Sequence, residues 1–125
     1  MPFGAAEGHE VTETGTYTAM AMQLTARSLE RLGSDDARAA ILDHIAEIEG
    51  QIRTSAIFVA GYAGKPVKLV VLPEYLFTSY PVRISIPDFA AKVGFAADGP
   101  EYEALGGVAQ RLGVFLAGNS YESDE

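Results

Sequence analysis

Apolar residues in this chain change their spacing three times, and each change predicts an element. "TYTAMAMQL", Thr16 to Leu24, alternates small and larger apolar residues and ends in polar Gln23, as a buried strand does, although Ala and Met are mediocre strand formers. Further on, Ile41, Ile45, Ile48, Ile52, Ala56 and Val59 recur at intervals of three and four, a continuous stripe down one side of a helix. Ser34, Asp35 and Asp36 stand where they can cap that helix and place negative charge at its positive end. Gly50 weakens it by about 1 kcal/mol relative to alanine, and Gly61, Gly64 and Pro66 supply the stop. "VKLVVLP", Val67 to Pro73, is short and rich in Val and Leu, which suits a strand buried on both faces. Strand, helix and strand then form a right-handed crossover with parallel strands, and ligands of such sheets gather outside the carboxyl ends of the strands. Glu74 follows one of those ends.

From Tyr75 to Asp98 the Pro, Ser, Gly and aromatic content predicts a long covering loop with a short helix around "PDFAAKV". "DGPEYEALGGVAQRLG" reads as another helix, with Asp98 or Gly99 as cap, Pro100 in the first turn, Arg111 late and Gly113 as stop. Glu101 and Glu103 are expected to be exposed acids of its first turn, and Gly106-Gly107 to let it approach the sheet closely. "VFLAGNSYE", Val114 to Glu122, supplies a third strand. The expected fold class is therefore α/β, one sheet with two helices packed on it. Residues 1–16, which mix Gly, Thr and Glu without an apolar period, are expected to be a flexible arm ahead of a domain over 17–125.

Composition narrows the partners. The chain has 125 residues, enough for one core, with 48% hydrophobic and 21% charged residues, far from the signature of disorder. A net charge of -8 argues against nucleic acid and against anionic membrane, leaving small molecules or proteins. With no basic and apolar leader at its start and no long apolar segment, the chain is expected to be soluble and cytoplasmic. It contains no cysteine, which rules out disulfides, thiolate metal sites and a cysteine nucleophile from within these residues.

Most motif-like segments carry no chemistry. "GYAGKP" lacks the spacing and Ser/Thr of a phosphate-binding loop, and "GGVAQRLG" is not a dinucleotide fingerprint. With only two histidines, His9 in the arm and His44 read as a helix-flank residue, no metal site is expected, and no cofactor is expected either. The terminal "ESDE" reads as solvated charge. Glu74 remains, and on residue physics alone it is either a solvated loop carboxylate or a group held at the sheet rim for chemistry.

"LVVLPEYLFTSYP" resembles the segment around the catalytic glutamate of the nitrilase superfamily, the carbon–nitrogen hydrolases, in which an apolar strand ends in Pro-Glu and a Thr-Gly-Tyr follows at the same spacing. The order of elements from about Tyr17 to Glu122 is similar to the first third of that family. The resemblance implies an α-β-β-α sandwich, a Glu-Lys-Cys triad with Glu74 as general base, and amide or nitrile substrates. It also implies a homo-oligomeric longer protein in which this chain, supplying only the glutamate, is inactive alone. Tyr80 would have a substrate-binding or a structural role. Ser79 departs from the family's glycine, and Lys65, Lys68 and Lys92 do not match its lysine. The Pro-Glu step at the end of "KLVVL" also predicts that Glu74 lies at the carboxyl end of the second strand, facing a concavity and largely withdrawn from solvent. The alternative is a non-catalytic α/β binding or interaction module.

Overall fold

In the computed structural model, which describes residues 15–123, the apolar stripe folds as anticipated. Helix α1 runs from Ser34 to Ala63 and buries Ala37, Ile41, His44, Ile45, Ile48 and Ile52. Its cap differs from expectation: Gly33 occupies the N-cap without a side-chain hydrogen bond, while Asp35 and Asp36 lie in the first turn. The helix passes through Gly61 and ends only at Gly64, whose φ of 77° is the left-handed conformation that glycine adopts without a Cβ penalty.

Strands β1 (Thr18–Ala21), β2 (Val67–Val71) and β3 (Phe115–Ala117) form one parallel sheet in the order β1-β2-β3, so β2 is central. The strands are shorter than the sequence suggested, although Met22 N–H to Val71 O and Leu72 N–H to Ala117 O, at 2.9 and 2.8 Å, continue the ladder past two strand ends. Residues 118–123 leave the sheet instead of prolonging β3, and touch the chain again through a bridge between Glu122 and Phe95. Helix α2 (Ile86–Val93) begins at Ser85, whose Oγ accepts from Asp88 N–H at 3.2 Å, and packs on α1. Helix α3 (Pro100–Leu112) starts after Gly99, stops at left-handed Gly113, and packs on α1 and β3. The arm expected over 1–16 lies outside the described residues except for Gly15 and Thr16.

Because side chains alternate along a strand, the register separates two sheet faces. Met20, Val70 and Leu116 align across the three strands beneath the helices, and the first two are buried. The opposite face presents Ala19, Leu69 and Phe115 in one row and Ala21, Val71 and Ala117 in the next. Phe115 is 78% exposed and Val71 39% exposed, so among the described residues this apolar face has no cover. The architecture is two-layered: helices on one side, open sheet on the other.

Two expectations about charged and small residues fail. Glu101 is only 2% exposed, held under α3 by Arg38 at 3.4 Å, while the same guanidinium donates to Gly94 O at 2.6 Å. An acid in a first helical turn is ordinarily solvated; here a cation from α1 reaches it. Gly106 makes no close approach to the sheet, since a Cβ added there would meet nothing within 4 Å, and the helix instead stands off from a cavity.

Candidate functional site

All three strands run parallel, so their carboxyl ends share one rim. Glu74 stands on it, three residues beyond the end of the central strand. The turn that follows is tightly specified. Tyr75 and Ser79 both have left-handed backbones, with φ of 59° and 60°, and Ser79 N–H donates to Tyr75 O at 2.9 Å. Between them Leu76, Phe77 and Thr78 are buried, and Leu76 O accepts from Arg27 N–H at 3.3 Å. Non-glycine residues in this conformation carry a cost of about 1–2 kcal/mol each, which the three buried side chains offset. The conformation also gives a physical reason for the glycine that the resemblance leads one to expect at Ser79.

Glu74 itself is exposed and lines neither of the two cavities at this rim, contrary to the expectation of a carboxylate withdrawn into a concavity. The strand end places it, but nothing among the described residues lies over that part of the rim. Tyr80 is 57% exposed and likewise lines neither cavity; its ring meets Tyr75 edge-on, with centroids 5.8 Å apart.

What lies beside Glu74 was missed in reading the sequence. The segment after β3, Gly118-Asn-Ser-Tyr121, turns across the same rim. Asn119 Oδ1 accepts from Tyr75 N–H at 3.4 Å, and the Tyr121 ring stacks on Tyr75 with centroids 6.0 Å apart and planes at 19°. Tyr121 is fixed from behind by Phe89, edge-on at 5.1 Å, and by its carbonyl, which accepts from Phe95 N–H at 2.7 Å. Burial pushes the Tyr121 hydroxyl above its usual range, and the neighbouring Tyr75 hydroxyl and the charge of Glu74 push in the same direction. A cavity of about 200 Å³ opens here between Tyr75, Phe77, Thr78, Asn119 and Tyr121. A second, of about 440 Å³, adjoins it beneath α3 and shares Phe77, Asn119 and Ser120. The signal was available, since the rule that draws attention to Glu74 applies equally to a polar run at the end of the third strand.

The remaining candidates have structural roles. His44 is a member of the buried stripe, 3% exposed, and not a flank residue; its ring meets Phe77 edge-on at 5.7 Å, and Nδ1 has no partner among the described residues. Burial, and then the charge of Arg27, lower its pKa, while Glu47 opposes them. Lys92 is buried and donates to Glu30 O at 2.9 Å, Lys65 bonds Thr16, and Lys68 is exposed on β2. Glu122 of the terminal acidic run accepts from Tyr102 Oη at 2.7 Å, so it is not simply solvated charge. His9 lies outside the described residues. Among those described, no group of His, Asp and Glu could hold a metal, and no helix is long and apolar enough to cross a membrane.

Fold and rim together define a mixed α/β protein with a parallel sheet and a candidate site at its carboxyl edge. Set against protein-family models, curated protein sequences and solved structures, the chain finds no match in any of the three.

Proposed function

We propose that this chain is the glutamate-bearing portion of a carbon–nitrogen hydrolase acting on an amide or nitrile, with Glu74 as general base. The observation that carries the reading is the position of Glu74 at the carboxyl-end rim of the central parallel strand, on a turn whose backbone is held at both ends in the left-handed conformation. The uncovered apolar sheet face supports it as well, since an α-β-β-α sandwich packs a second sheet against such a face. In this reading the cysteine and the lysine come from outside the 125 residues, which contain no cysteine, and the isolated chain is inactive.

The chemistry asked of Glu74 is proton transfer. A thiol is only a few per cent thiolate near neutral pH, so an adjacent carboxylate that takes its proton raises the concentration of nucleophile. The thiolate adds to the amide carbon, the carbon–nitrogen bond breaks as the glutamic acid returns its proton to the leaving nitrogen, and a thioester remains. Water, deprotonated by the same carboxylate, then releases the acid. Exposure of Glu74 in this chain suits a group whose partners close over the rim. A second reading, a non-catalytic binding or interaction module, is favoured by the absence of cysteine.

The test is Glu74→Gln in the complete gene product. Glutamine keeps the size but cannot accept the proton, so hydrolysis should fall by roughly 10² to 10⁴-fold, the usual contribution of a positioned base. Activity of the folded variant within about twofold of wild type, well short of that loss, would remove Glu74 from the mechanism. No hydrolysis of any amide or nitrile by the wild type would favour the module.

A further inference from the structure

The cavity beside Glu74 has walls that specify more than a reaction type. Two aromatic faces, Tyr75 and Phe77, and the ring of Tyr121 bound a volume of about 200 Å³. A dry cavity of about 150 Å³ is enough to admit benzene, so this one suits a single ring. Its polar groups are already committed in part: Thr78 Oγ1 donates to Ser79 O at 2.8 Å, and Ser120 Oγ is paired with Tyr102 Oη at 2.9 Å. Asn119 differs. Its Oδ1 is occupied by Tyr75 N–H, which fixes the carboxamide orientation and leaves the NH₂ group as a donor at the cavity wall. No lysine or arginine lines the space, and Glu74 stands close enough for its charge to act on the Tyr121 hydroxyl.

We propose that this cavity is the substrate's acyl pocket and takes the ring of an aromatic carboxamide, with Tyr75, Phe77 and Tyr121 packing the ring and Asn119 donating to the amide oxygen. The proposal rests on the hydrolase reading for the word substrate; the binding site stands on geometry alone. An aromatic carboxylate of the same shape is disfavoured by charge, because it would lie near Glu74 with no lysine or arginine in the cavity lining to offset it. A saturated ring is disfavoured because it forgoes aromatic contact with the three rings that line the cavity.

The experiment is titration of the 125-residue protein with benzamide, followed by NMR of the tyrosine rings and the Asn119 side-chain amide. Saturable shifts at Tyr75, Tyr121 and Asn119 are expected, with a Kd on the order of millimolar for a ligand of this size. Benzoate and cyclohexanecarboxamide should bind at least about tenfold more weakly, as should benzamide to Tyr121→Ala or Asn119→Ala. If Tyr121→Ala fails to fold, Tyr121→Leu keeps the apolar bulk without the ring and carries the same expectation. Absence of saturable shifts, equal binding of benzoate, or unchanged binding to the folded Tyr121 variants overturns the pocket. Failure of the hydrolase reading looks different: benzamide would bind as described, yet the complete gene product would not hydrolyse it and Glu74→Gln would change nothing.

Discussion

Replacing Ser79 by glycine tests whether the turn behind Glu74 is strained. Ser79 has a φ of 60°, a conformation that costs an L-residue about 1–2 kcal/mol and glycine almost nothing. Glycine also gains freedom in the unfolded chain, which returns about 0.4–1 kcal/mol of that benefit. The difference leaves a net stabilisation of roughly 0.8 kcal/mol. For a domain of this size that corresponds to a Tm higher by about 3–6 °C, or a urea midpoint higher by about 0.4 M. Urea and thermal unfolding of wild type, Ser79→Gly and Ser79→Ala measure it, with alanine as the control that removes the hydroxyl but keeps the Cβ. A glycine variant no more stable than the alanine variant would refute the argument, because relief of Cβ strain, less the freedom glycine gains in the unfolded chain, is what separates them.

Three further outcomes follow from the packing. Glu101→Gln removes the charge facing Arg38 in a buried site and should cost about 1–2 kcal/mol in urea unfolding, whereas Glu103→Gln at the exposed surface should stay within about 0.5 kcal/mol. His44 is held neutral by burial, so the unfolded chain binds more protons below its ordinary pKa of about 6.5. Stability is therefore full above that value and declines as pH falls below it. His44→Leu should flatten the decline that begins below about pH 6.5, read as ΔG against pH, leaving the carboxylate-linked losses at lower pH. The purified chain should bind an apolar dye and scatter light through its open sheet face, and Val71→Glu with Phe115→Glu should suppress both; a dye-silent wild type would contradict the exposure described.

The long helix and the parallel sheet were legible because periodicity is a local signal: Ile41 to Ile52 mark one face whatever the rest of the chain does. His44 lies three residues after Ile41 and four before Ile48, so its spacing placed it on that face; its polarity argued the other way, and packing against Phe77 prevailed. Glu101 could not be read as buried, because the guanidinium that holds it comes from Arg38, 63 positions earlier. At the candidate site the strand-end rule located Glu74 but carried no information about cover, which depends on what stands over the rim. Asn119 and Tyr121 were absorbed into an over-long third strand, since "VFLAGNSYE" does not reveal where pairing stops. The apparent reason for Gly106 failed because a missing side chain marks equally a close contact or an open space.

Helix α1 has a further consequence. Its 30 residues extend about 45 Å, while the central strand beneath it, five residues long, covers only about 17 Å. Full burial ends at Ile52, and Ile57, Phe58 and Tyr62 project into solvent. One unbroken helix thus contains two regimes of local opening. Amides from about Ile41 to Ile52 are released to exchange only when the core itself opens, whereas those of the last two turns, held by little beyond their own ladder, exchange by fraying from Gly64 backwards.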